Sequence, residues 1–164
     1  MQARVRQTCL FAVVALGLVV VLAGTALAQP SDPSIGTWKV NIARSKYIAG
    51  TLPKSATVKT EAAGAGVKVT VDPVGADGTV SHWAYTANND GKDNPITGNC
   101  GYGDMVARTR VDANTYRLVY KKDGKVTTTQ TTVVSSDGKT RTTTSTGTSA
   151  KGNAVNSVVV YDKQ

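Results

Sequence analysis

Apolar and polar residues alternate with a period of two along much of this chain. Val67, Val69 and Val71 fall on one side of a run with Lys68 and Thr70 on the other, and Tyr116, Leu118 and Tyr120 oppose Arg117 and Lys121 in the same way. Turn signals separate such runs at nearly even intervals: Gly64-Ala65-Gly66, Asp77-Gly78, Asp90-Gly91, Asp112-Ala113-Asn114, Asp123-Gly124, Asp137-Gly138 and Lys151-Gly152-Asn153. Asp-Gly pairs tolerate the positive φ angles of two-residue hairpins, so each asks its flanking runs to pair as antiparallel neighbours. The pattern predicts strands over residues 35–41, 55–62, 67–73, 79–87, 92–97, 104–111, 115–121, 125–135, 139–148 and 153–162, with no convincing helix. Residues 42–55 break the rhythm, and Arg44-Ser45-Lys46-Tyr47 could make a helical turn before Gly50 and Pro53 stop it.

Residues 127–149 hold 11 threonines. A glycosylated stalk would have that composition, but the stretch lacks proline, carries Val133-Val134, and is interrupted by Asp137-Gly138 where a hairpin needs its turn. Threonine is β-branched and fits a pleated surface, so the reading is a Thr-faced hairpin with small, partly polar inward positions.

Consecutive antiparallel strands leave two unpaired edges unless the sheet closes. The last run carries Val155, Val158, Val159, Val160 and Tyr161, apolar on both faces, as a strand pairing with the first strand would be. The expected fold is therefore all-β, a single up-and-down antiparallel barrel of about eight to ten strands.

The N-terminus reads differently. Arg4 and Arg6 precede an apolar stretch from Leu10 to Ala23 that ends in Ala26-Leu27-Ala28, the pattern of a secretory signal peptide spanning residues 1–28, with the barrel domain over residues 29–164. The apolar stretch falls short of the roughly 20 residues that span a bilayer. Leu22-Ala23-Gly24-Thr25 has the form of a lipoprotein signal with Thr in place of the acylated Cys, so no lipid anchor is expected. Cys9 leaves with the signal, which makes Cys100 the sole thiol of the exported chain and excludes an internal disulfide. The expected location is secreted or periplasmic, without stable membrane insertion after cleavage.

The exported part carries 17 basic and 11 acidic residues, a net charge of +6. Those charges are scattered singly, without the basic block or interleaved aromatic stripe that nucleic-acid recognition uses. Catalysis needs convergent titratable groups, and few are present. His82 is the one histidine and Glu61 the one glutamate, while the aspartates concentrate in turns. No Cys/His cluster has zinc spacing, no serine sits in a Gly-x-Ser-x-Gly elbow, and no sequence neighbour would activate Cys100. The chain is read as non-enzymatic, with no catalytic residue, metal or cofactor. Cys100 stands in Thr97-Gly98-Asn99-Cys100-Gly101-Tyr102-Gly103, read as a flexible loop at a barrel mouth.

Ile35-Gly36-Thr37-Trp38-Lys39 at the start of the first strand resembles the Gly-x-Trp signature of the lipocalins and the wider calycin superfamily. The resemblance implies that Trp38 packs across the closed end of a barrel after Gly36, covered by a basic side chain from a late strand, for which Arg141 is the candidate. The chain also resembles small secreted bacterial proteins of uncharacterised function that open with Gly-Thr-Trp-Lys and close near Val-Tyr-Asp-Lys, here Val160-Tyr161-Asp162-Lys163. Two departures favour the fatty-acid-binding-protein-like branch: about ten strands, and no helix after them.

Calycin-like barrels hold ligands inside. Trp83, Tyr85, Tyr116 and Tyr120, with Arg108, Arg110 or Arg117, could line a pocket for an apolar body and an anionic head, with Tyr102 at the mouth. Because interiors pack tightly by default, the favoured reading of these aromatics on their own is that they simply fill the core. The expected function is non-covalent binding of a small hydrophobic or anionic amphipathic molecule; the alternative is a structural or interaction protein of the envelope acting through its loops.

Overall fold

Ten antiparallel strands, each hydrogen-bonded to the next in sequence, close into one barrel when the last pairs with the first. The computed structural model describes residues 32–164; the expected leader lies outside the described residues. The strands are β1 (Gly36–Ala49), β2 (Ser55–Ala63), β3 (Gly66–Val74), β4 (Trp83–Asn88), β5 (Asp90–Gly98), β6 (Met105–Arg110), β7 (Thr115–Lys122), β8 (Lys125–Val134), β9 (Thr140–Thr148) and β10 (Ala154–Lys163). All ten expected strands are present, and the architecture is calycin-like. β10 closes on β1 through pairs such as Val40 with Tyr161 and Asn41 with Val160.

Two local expectations need correction. Arg44–Tyr47 forms no helical turn; β1 continues to Ala49 through a bulge, where Asn41 and Lys46 face Val160 and Val158. Side chains replace the ladder bonds lost there. Ser45 Oγ donates to the Asn41 carbonyl (2.7 Å) and accepts from the Val160 amide (3.0 Å), and Asn41 Oδ1 accepts from the Arg44 amide (3.1 Å). β4 starts at Trp83, not at residue 79, because the Asp77 carboxylate takes both the amide and the hydroxyl of Thr79 and extends the turn.

Alternation decides what faces inward. Val67, Val69, Tyr116, Leu118 and Tyr120 are buried, whereas Lys39, Lys59, Lys68, Arg117, Thr131 and Thr144 are exposed on the outer face. That polar exterior differs from the apolar band of a membrane-spanning barrel. Among the described residues no helix is long and apolar enough to cross a membrane. The threonine-rich segment forms the β8–β9 hairpin, with Thr128, Thr132, Thr143 and Ser145 buried and Thr132 and Thr143 sharing a hydroxyl bond of 3.0 Å.

The two ends of the barrel differ. At one end the chain enters β1, and Trp38 is fully buried with its indole Nε1 donating to the Ser34 carbonyl at 2.8 Å. At the other end lie the β1–β2, β3–β4, β5–β6, β7–β8 and β9–β10 connections.

Candidate functional site

The closed end carries a charge that the fold has fully accommodated. Arg108, on β6 and 3% exposed, donates to Ser34 Oγ (2.9 Å) and Asn89 Oδ1, pairs with Asp32 Oδ2 (3.4 Å), and lies 4.0 Å above the centre of the Tyr116 ring. Tyr116 and Ser34 donate their hydroxyls to the other oxygen of Asp32. Burial alone would raise the Asp32 pKa, but the Ser34 and Tyr116 hydrogen bonds and the Arg108 charge outweigh it and hold the carboxyl below its ordinary value. Burial, then the bond to Asp32, pushes the Tyr116 hydroxyl up to about 12.

Above this floor the barrel is hollow. A cavity of about 260 Å³ occupies the interior, walled by Trp83 and all six tyrosines together with aliphatic residues of β2, β3, β7 and β10. The aromatics support one another: Trp83 stacks on Tyr85 at 6.0 Å, meets Tyr120 edge-on at 6.1 Å, and Tyr102 tilts against Tyr120 at 5.2 Å. Gln130, Thr132, Thr143 and Ser145 of the β8–β9 hairpin form a polar seam in the same wall. Burial pushes the hydroxyl pKa of Tyr85, Tyr102, Tyr120 and Tyr161 upward, so these tyrosines are neutral donors at physiological pH.

The cavity continues into an open vestibule bordered by Tyr47, Pro73, Asn99, Tyr102 and Lys151. The loop carrying Cys100 runs over this mouth and is tied down: the Asn99 amide donates to the His82 carbonyl (2.9 Å), the Gly101 carbonyl accepts from the Ala150 amide (2.9 Å), and the Tyr102 carbonyl accepts from Thr127 Oγ1 (2.6 Å). Burial raises the Cys100 pKa, which disfavours the thiolate. His82 lies outside with Nδ1 2.6 Å from Asp72. Among the described residues no three His, Cys, Asp or Glu side chains gather as a metal site.

Of the eight residues singled out as pocket candidates, Trp83, Tyr85, Tyr102, Arg108, Tyr116 and Tyr120 line the cavity. Arg110 and Arg117 do not: Arg110 bonds the Asp112 and Ala113 carbonyls at the β6–β7 turn, and Arg117 points outward from β7. Among the wall residues that escaped the sequence reading as cavity residues are Tyr47, Tyr161 and Arg141. Strand parity was the available signal for the last, because Arg141 shares its face with Thr143 and Ser145.

Around Trp38 stand two cations, Lys163 with Nζ 5.1 Å and Arg141 with Cζ 5.7 Å from the ring centre. Gly36 lies against Lys163, whose Cε would be 2.6 Å from an added Cβ. No family model matches the chain, and no curated protein or solved structure is significantly similar to it.

Proposed function

We propose that this chain is an exported, lipocalin-like barrel that takes a small hydrophobic or amphipathic molecule non-covalently into its interior. The observation that carries this reading is the interior cavity of about 260 Å³, walled by Trp83 and the six tyrosines and open at one end of the barrel. A core built only for stability packs its aromatics against one another without such a void, because unfilled space forfeits dispersion contacts. Concave, mostly apolar chambers with a few placed polar groups are the usual form of small-molecule sites. The cavity lies slightly below the ~300–1,000 Å³ common for drug-sized ligands, which favours a compact occupant.

In this proposal the protein acts outside the cytoplasm after cleavage before Gln29, a reading supported by the secretory pattern of its N-terminus. The raised Cys100 pKa and the outward position of His82 favour a binding protein over an enzyme. Native mass spectrometry of the protein purified from its own cell envelope tests the reading. A co-purified small molecule, displaced by a cavity-filling Ser145→Phe variant, is the expected result. Protein that carries nothing and takes up no member of a diverse panel of small hydrophobes after delipidation would overturn it, leaving the loop-mediated envelope role.

A further inference from the structure

Two opposed walls of the cavity differ in kind. On one side, the inward face of the β8–β9 hairpin carries successive ranks of polar side chains. Two of those ranks satisfy themselves: Thr132 and Thr143 share a hydroxyl bond of 3.0 Å, and Thr128 donates to the Thr148 carbonyl at 2.6 Å. Between them Gln130 and Ser145 stand directly opposite each other in the ladder, 8% and 1% exposed. Their side chains have no hydrogen-bond partner among the described residues and border the cavity instead. On the other side are β3 and β4, separated from β8 and β9 by three strands in either direction. They present Val69, Val71, Trp83 and Tyr85, with the two aromatic planes within 18° of parallel.

We infer that Gln130 and Ser145 read a ring amide, and that the ligand is a compact neutral lactam or imide whose apolar ring faces Trp83 and Tyr85. The inference rests on the reading of the barrel as a small-molecule binder and adds to it the chemical class of the ligand's polar edge.

Buried polar side chains are nearly always paired, and the neighbouring threonines of this hairpin follow that rule. The Gln130 amide holds an acceptor and a donor side by side in one plane. Its complement is a group with a donor and an acceptor on the same edge, so that two parallel hydrogen bonds form. An open-chain secondary amide is trans, and its N–H and C=O point in opposite directions. A ring forces them to one side. Ser145, whose hydroxyl both donates and accepts, meets the atom next to that edge. The rank itself is uncharged, and the cations of the cavity belong elsewhere: Arg108 is paired with Asp32, and Arg141 lies two inward positions along β9, opposite Val134 and beside Tyr161. A flat body against the near-parallel rings of Trp83 and Tyr85 gains stacking contacts that a flexible chain does not.

Lactams and their lactone counterparts test the inference, because exchanging N–H for O removes the donor and leaves size and carbonyl in place. The pairs are 2-quinolone with coumarin, isoquinolin-1-one with isocoumarin, and oxindole with 2-coumaranone. Each is titrated into the delipidated protein at pH 7 by calorimetry. At least one lactam binds about tenfold or more tightly than its lactone, the scale of a buried hydrogen bond whose loss strands its partner. Gln130→Leu abolishes that preference, and Ser145→Ala weakens lactam binding without abolishing it. Equal affinity within every pair, or a preference that survives Gln130→Leu, overturns the inference while the binding function stands. If no probe binds but other small hydrophobes enter the cavity, the inference again falls alone; if those fail too, both readings fall. The wild-type comparison needs no variant, so it decides the matter even if Gln130→Leu does not fold.

Discussion

Tyr116 and Asp32, 84 positions apart in sequence, share a hydrogen bond that ties the segment before β1 to the barrel wall. Asp32 is also the acid that neutralises Arg108. Removing one partner of a buried pair strands the other, so Asp32→Ala should cost about 3 kcal/mol, read from the urea midpoint at pH 7. An unchanged midpoint would show that the pair contributes nothing.

The same carboxylate sets an acid limit. Its pKa is lower in the folded protein than in the unfolded chain, so its contribution is complete above the ordinary aspartate value of about 3.9 and is lost as pH falls through the folded value. Stability should therefore drop below about pH 4, and Asp32→Asn should flatten that part of the profile while lowering stability at neutral pH. Thermal unfolding at a series of pH values gives both numbers.

Trp38 is the largest fully buried side chain at the closed end. Trp38→Ala should lose about 3–5 kcal/mol, from lost burial and the cavity left behind. Trp38→Phe should lose about 1–2 kcal/mol, chiefly from the missing bond to the Ser34 carbonyl. Chemical denaturation of both variants separates the packing contribution from the polar one.

Two glycines separate close approach from backbone conformation. Gly147 in β9 has φ +128°, and an added Cβ would lie 2.2 Å from the Thr127 carbonyl oxygen. Gly124 has φ +75° with open space around it. Gly124→Ala should cost about 1 kcal/mol, the ordinary penalty of a left-handed residue, and Gly147→Ala clearly more. Equal losses would mean that β8 yields freely at Thr127.

Cys100 should behave as a protected thiol. Burial raises its pKa, so iodoacetamide should label it at pH 8 about tenfold more slowly in the folded protein than in urea, with the folded rate still climbing above pH 9. Mass spectrometry of the labelled fraction over time checks this. A thiol that reacts fully at neutral pH would argue for a chemical role.

The strands were legible because both signals that define them are local. Period-two alternation and Asp-Gly turns act within a few residues, and the β8–β9 hairpin emerged from a threonine run on that basis alone. The β1 bulge was not legible, since its stability comes from Ser45 meeting Val160, 115 positions away. The site was partly legible. Tyrosines on inward strand positions reach the cavity, but whether they fill it depends on barrel radius, which no short window encodes. Choosing among the arginines required parity and partners together. Arg117 falls opposite Tyr116 by alternation, whereas Arg108 differs from Arg141 only through Asp32, which precedes the first strand.

The polar seam of Gln130, Thr132, Thr143 and Ser145 runs along one arc of a mostly aromatic and aliphatic wall. The chamber is thus not equivalent in all directions around the barrel axis. A molecule seated there is fixed in rotation as well as in depth, because a polar edge meets partners on the β8–β9 side and an unpaired desolvated surface elsewhere. The threonine-rich hairpin therefore supplies handedness to the interior: two mirror-image ligands with the same head and the same body would find different walls.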